Sequence, residues 1–325
     1  MKRLILSLSA LMASIGSMIA QTSDNTVDIF FNGTSATVSV AANISSYITV
    51  TSGSSSHVKL VQSESVNESV GEITYTLSGT STDGEFYMEG SYKASIELNG
   101  LTLTNPSGPA INIQDGKRIK LSVKNGTTNK LTDGANADYN GCIHCKGHLE
   151  MKGKGELTVT GNSKHGIYSK EYMQVKNCTI NITAAAKDGI HCKEYFLMES
   201  GNISIANTTD DGIQVEIDSN INATGVTADH EDENTGNFYM LDGTLTINNY
   251  GSKAVVADGS LNFSGGTQNF DINDTKSSVN QLKQSIANSS AIIYDLSGRP
   301  VPSKAKSGKG IYVMKKDGKY IKTVK

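Results

Sequence analysis

Asp188 and Asp211 each precede a Gly-Ile pair, with Asp210 beside the second and His165 at the matching place before Gly166-Ile167. On adjacent strands such carboxylates would stand about 4.8 Å apart, where they repel unless a cation or proton lies between them. The acids that follow, Glu216, Asp218, Asp229, Glu231, Asp232 and Glu233, are expected at the same edge. Carboxylates grouped with asparagines and backbone carbonyls are hard oxygen donors, which suit calcium. Asp-Gly is equally a turn-forming pair, so a purely structural role stays open for Asp188 and Asp211.

A second set of side chains could meet a ligand. Lys146, Lys170 and Lys193 occupy equivalent positions and would form a basic row, either a solvated face or a receiver for carboxylates of an acidic polymer. His191, Tyr168, Tyr172 and Tyr195 would add polar and ring surface beside it. There is no tryptophan, so any stacking falls to tyrosine and histidine. A lysine beside a bound cation, Lys187 or Lys193, could also act as a base that removes an acidified proton. Arginine, which would support such chemistry, occurs only at positions 3, 118 and 299.

A repeat must position these residues. Gly166-Ile167-Tyr168-Ser169-Lys170, Gly189-Ile190-His191-Cys192-Lys193 and Gly212-Ile213-Gln214-Val215-Glu216 align without gaps at a spacing of 23 residues. Cys142-Ile143-His144-Cys145-Lys146 is an earlier copy, Ala110-Ile111-Asn112-Ile113-Gln114 the first, and Ala254-Val255-Val256-Ala257-Asp258 a degenerate last one. Each copy is followed by two more short alternating stretches, such as Phe196-Leu197-Met198 and Ile203-Ser204-Ile205. Three period-two strands per repeat, with no helical stretch, predict an all-β fold, a right-handed parallel β-helix of about 23 residues per coil. Ile143, Ile167, Ile190 and Ile213 then point inward. His144, Tyr168, His191 and Gln214 point outward.

The composition agrees. The 325 residues include 32 glycines and only 4 prolines, and the net charge of -3 gives no basic field for nucleic acid. Lys2, Arg3 and the apolar run to Ile19 read as a signal peptide over residues 1–20, with cleavage after Ala20, so the chain is expected to be secreted or displayed on a cell surface. No later stretch is apolar enough to span a membrane. Cys145 and Cys192 fall two coils apart, beyond disulfide reach; with Cys142 and Cys178 they are expected as buried thiols.

The motifs Asp188-Gly189-Ile190 and Asp211-Gly212-Ile213, with Ile73–Thr80, Leu98–Leu103, Leu131-Thr132-Asp133-Gly134 and Val159-Thr160-Gly161-Asn162, resemble the bacterial carbohydrate-binding domain-containing proteins. The resemblance covers about residues 70–266. It implies a calcium-carrying, pectate-lyase-like β-helix, and the family includes a binder of cellulose and polygalacturonic acid. Calcium ligands would fall among Asp188, Asp210, Asp211 and the acids after Glu216, whereas His165 and Lys253 depart from the acidic pattern. Residues 291–325, with Ile292–Arg299 and Gly308–Val313, resemble the type A C-terminal sorting domain of type IX secretion in Bacteroidota, a small antiparallel β-sandwich that would engage outer-membrane secretion machinery. Residues 21–270 would then be the β-helix and 271–290 a linker. Three functions remain open: a non-catalytic calcium-dependent polysaccharide binder, a pectate-type lyase, and a structural adhesin.

Overall fold

Short β-branched strands separated by glycine-rich turns form a parallel β-solenoid. The computed structural model describes residues 25–222, 226, 230 and 232–271, and the backbone of strands Ile292–Tyr294, Ile311–Lys316 and Lys319–Val324. The expected signal peptide, residues 272–290 of the linker, Asp229 and Glu231 lie outside the described residues.

Three faces run along the solenoid. The first stacks His57–Gln62, Glu85–Glu89, Ile111–Ile113, Gly141–Cys145, His165–Ser169, Ile190–Lys193, Ile213–Glu216 and Val255–Ala257 in that order. The second runs from Ile119–Val123 through Leu149–Gly153, Met173–Lys176, Tyr195–Met198 and Asn237–Met240 to Leu261–Phe263. The third begins at Thr128–Thr132 and ends at Thr267–Phe270. The long strand Ala94–Thr104 joins the last two: its first half pairs with Ile119–Val123 and its last three residues with Thr128–Thr132. Two antiparallel pairings, Thr26–Asn32 with Ser35–Val40 and Ile48–Val50 with His57–Gln62, close the N-terminal end.

The register is the one the alignment predicts. Ile143 pairs with Ile111 and Ile167, Ile167 with Ile190, Ile190 with Ile213, and Ile213 with Val255. All of these side chains are buried. The repeat also extends further toward the N-terminus than the motif does, because Phe86 continues the inward column without its glycine.

The motif glycines have a packing reason. A Cβ at Gly189 would stand 2.5 Å from Ile205 Cγ2 and 2.7 Å from the Gly212 carbonyl oxygen. Gly212 meets Ile247 and Ala254 in the same way. The first face thus packs against the third with no room for a side chain at this column. All four cysteines are free and buried, and burial pushes the Cys145 and Cys178 thiols up to about 12.

Two expectations change. His144, Tyr168 and His191 do lie outside the core, but they are only 7–8 % exposed, because their rings pile on one another along the coil axis. At the C-terminus the described strands form one antiparallel sheet of three; the second layer that a sandwich needs is not among the described residues. No described helix is long and apolar enough to cross a membrane.

Candidate functional site

Two sites emerge, at opposite corners of the first and second faces. The first is the Asp-Gly edge. One ligand atom each from His165, Asp188 and His191 lie within 4.8 Å of one another, and so do those of Asp188, Asp210 and Asp211. Asp188 Oδ2 is 3.1 Å from His165 Nδ1 and 3.0 Å from His191 Nδ1, and Asp188 Oδ1 accepts the Asp211 backbone N–H at 3.0 Å. Burial alone would raise the Asp188 carboxyl, but His165, His191 and that amide hold it well below the usual carboxylate range. Asp211 repeats the arrangement by accepting the Lys253 N–H at 2.8 Å; burial and the neighbouring Asp188 and Asp210 keep its carboxyl raised. The column is therefore a side-chain-to-backbone ladder as well as a cluster of acids.

The donor chemistry divides this edge. Asp188, Asp210 and Asp211 offer only oxygen and fit calcium, and exposed Asp210 has no hydrogen bond or ion pair from its carboxylate among the described residues. The imidazoles of His165 and His191 are nitrogen donors, which calcium disfavours. Among the described residues, Glu216, Asp218, Asp232 and Glu233 do not join this cluster. Glu216 accepts from Gln214 Nε2 and lies 3.5 Å from His191 Nε2. Asp218 binds the Asn220 amides. Glu233 accepts from Thr235, Asn237 and Tyr239 and pairs with His230, while Asp232 faces the second site. Asp218 and Glu233 instead brace the segment that walls that site.

The second site is a groove of about 790 Å³. Its floor is a column of the second face: Arg118, His148, Tyr172 and Tyr195 follow one another on successive coils. His148 stacks on Tyr172 with centroids 4.2 Å apart, Tyr172 on Tyr195 at 4.8 Å, and Tyr195 on His230 at 5.3 Å. Ile221, Asn222, His230 and Asp232 to Asn234 contribute from the insertion opposite. Acids flank the rings. His148 Nε2 lies 2.9 Å from Glu171 Oε2 and 3.6 Å from Glu194 Oε2. Burial opposes charge on His148, but these two carboxylates push its pKa up to about 9. Tyr172 donates to Glu150 Oε1 at 3.2 Å, and Arg118 bridges Glu72 and Glu150 at 3.0 and 3.4 Å.

This geometry corrects the expected use of the tyrosines. Tyr168, Tyr172 and Tyr195 lie with their faces against neighbouring rings, and Tyr195 is 1 % exposed. The stack leaves them no free ring face for a sugar, and Tyr195 is closed to a ligand altogether. The alignment missed His148, Glu150, Glu171 and Glu194. Yet His148, Tyr172 and Tyr195 each stand two residues after Lys146, Lys170 and Lys193, so this column was readable from the same repeat. Lys146 and Lys170 are exposed and Lys193 half-buried, and none of the three has an ion pair among the described residues. Lys187 is exposed at the Asp188 edge. Asp188 and Lys193 bracket one short strand, about 16 Å apart at 3.3 Å per residue, so the acids and the lysine row are separate features.

The fold and sites together define a parallel β-solenoid with a polar groove on its flank. The solenoid fold is shared with the solved polysaccharide lyase-like protein from C. thermocellum, a gadolinium derivative, at a TM-score of 0.55 and 22% identity, covering 78% of this chain and 98% of that one. The chain belongs to the carbohydrate-binding domain-containing protein family, whose model matches residues 69–311. It is also 29% identical over 132 residues to a carbohydrate-binding domain-containing protein of Acetivibrio thermocellus, a match spanning 36% of this chain and 46% of that relative, or about half its length.

Proposed function

We propose that this protein is a secreted or cell-surface, non-catalytic binder of polysaccharide that depends on calcium and favours acidic chains such as polygalacturonate. The observation that carries this reading is the row Lys146, Lys170 and Lys193. The three lysines stand at matched positions on successive coils, whose backbones lie about 4.8 Å apart. None forms an ion pair among the described residues, although, against the effect of burial, the Asn220 amides, Lys193 and Lys170 hold the Asp218 carboxyl below its ordinary value. A repeating array of single charges suits a polymer with a repeating carboxylate better than a compact ligand. Calcium would be held by Asp188, Asp210 and Asp211, where it would relieve their mutual repulsion and brace adjacent coils. Export would rest on residues 1–20, and passage of the outer membrane on residues 291–325.

Affinity electrophoresis in gels with and without polygalacturonate, in calcium and in EDTA, tests the reading. Wild-type protein should be retarded in calcium, and a Lys146→Ser/Lys170→Ser/Lys193→Ser variant should run freely. Unchanged wild-type mobility across a broad panel of polysaccharides would remove it. The lyase alternative predicts a steady rise in ultraviolet absorbance from unsaturated uronides; a flat trace is expected from a non-catalytic binder.

A further inference from the structure

His165, Asp188 and His191 stand at the Asp-Gly edge, but their donor atoms differ from those of the three aspartates. His165 comes from one coil and Asp188 and His191 from the next, as the pairing of Ile167 with Ile190 requires. His165 Nδ1 and His191 Nδ1 turn to the same oxygen, Asp188 Oδ2, at 3.1 and 3.0 Å. The other oxygen, Oδ1, is taken by the Asp211 N–H. The two imidazole rings lie 4.5 Å apart at their centroids, tilted by 36°.

Two details fit poorly with hydrogen bonding alone. His165 Nδ1 faces an acceptor, Asp188 Oδ2, and a donor, the Asp188 backbone nitrogen at 3.3 Å. A proton on Nδ1 serves the carboxylate and opposes the amide, and a lone pair does the reverse. His191 stands between two carboxylates, with Nδ1 at Asp188 and Nε2 3.5 Å from Glu216 Oε2. A neutral ring must therefore turn a lone pair toward one of them. Doubly protonating His191 would serve both carboxylates and leave the conflict at His165. A cation held by both Nδ1 lone pairs and Asp188 Oδ2 removes both conflicts. His191 then carries its proton on Nε2, toward Glu216, in the carboxylate–histidine–metal arrangement that orients ligating imidazoles.

The donor set selects the ion. Calcium and magnesium take oxygen ligands, whereas two imidazoles and one carboxylate suit zinc and its divalent transition-metal neighbours. Donor separations of 3.0 and 3.1 Å lie near the roughly 3.3 Å edge of a tetrahedron with bonds of about 2.0–2.1 Å. The three ligands are 6, 1 and 8 % exposed. An ion among them needs no open face, because it replaces contacts already inside the cluster, and three protein ligands leave a position for water.

We propose that His165, Asp188 and His191 form a site for a zinc-type divalent transition ion that clamps two adjacent coils. The site goes beyond the carbohydrate-binding reading and does not depend on calcium at the aspartates. The test is titration of the metal-free, untagged full chain with cobalt(II), a probe whose visible bands report its ligand field. One equivalent should raise a visible band that zinc bleaches and that a large excess of calcium leaves in place. His165→Gln and His191→Gln should each weaken cobalt affinity at least tenfold, while Asp210→Asn should bind within twofold of wild type. X-ray absorption at the zinc edge of the wild-type complex needs no substitution and should show two imidazoles with oxygen. The proposal is overturned if no band forms, if calcium displaces the cobalt, if both histidine variants bind like wild type, or if the zinc complex holds fewer than two imidazoles. Cobalt affinity that falls in Asp210→Asn would put the ion among the aspartates and overturn it too. None of these results bears on polysaccharide binding, which the electrophoresis decides.

Discussion

Asp188 Oδ1 receives the backbone N–H of Asp211 from the next coil at 3.0 Å, and Asp211 Oδ1 in turn receives the backbone N–H of Lys253 at 2.8 Å. The two acids are thus joined by an amide before any cation is considered. His165 begins the series, with Nδ1 3.1 Å from Asp188 Oδ2 and 3.3 Å from the Asp188 backbone nitrogen.

Removing the Asp188 carboxylate should therefore destabilise the solenoid without calcium. Asp188→Ala strips partners from the buried Asp211 amide and from two nearly buried imidazoles, a loss of roughly 3 kcal/mol. Urea unfolding in EDTA measures it. A variant that matches wild type in EDTA and differs only in calcium would make Asp188 a ligand and nothing more.

Asp210 should separate the two roles in the opposite direction. Its exposed carboxylate has no hydrogen-bonding partner among the described residues, so Asp210→Asn should leave unfolding in EDTA within about 0.5 kcal/mol of wild type. Calcium titration by calorimetry should show affinity weakened about tenfold or more. Unaltered affinity would place the ion elsewhere.

The glycine column gives a test of packing. Gly189→Ala forces a methyl group into contact with Ile205 and the Gly212 carbonyl, and should cost about 1–3 kcal/mol or more. Gly116→Ala, with nothing within 4 Å, should change stability by less than about 0.5 kcal/mol. Paired thermal melts of the two variants decide whether the motif glycine is there for space.

His148 should give the protein an alkaline limit. Its folded pKa, about 9, lies above that of an unfolded histidine, near 6.5. The folded state holds the proton more tightly, so the stability it contributes is complete below about pH 6.5 and is lost as pH rises through about 9. His148→Phe keeps a ring against Tyr172 and should flatten the difference in melting temperature between pH 6.5 and 9.5. A variant with an unchanged pH slope would show that Glu171 and Glu194 do not hold the proton there.

Much of the fold was written in one motif. The spacing of Gly166, Gly189 and Gly212 set the coil length, and alternation set which side chains face inward, because a parallel stack repeats every lateral neighbour at the same offset. The cysteines followed from that register. The candidate site was legible only in part. Asp188, Asp210 and Asp211 meet as their positions suggested, and Tyr172 and Tyr195 do line a groove. Glu216, Asp218 and Glu233 scattered, because hydrogen bonds to Gln214, Asn220 and Tyr239 lie closer to hand than any shared ion.

The sequence by itself determined the period, the inward ladders and the edge where acids gather, all of which depend on neighbours one coil away. Only the tertiary structure decided that His144, Tyr168 and His191 shield one another, that the tyrosines keep their faces against neighbouring rings, and that the insertion walls a groove over His148. Those outcomes depend on how rings rotate about their side-chain bonds and on where an irregular segment returns to the stack, and neither is periodic. A repeat fixes what repeats, whereas the groove is made where His230 and Glu233 interrupt it.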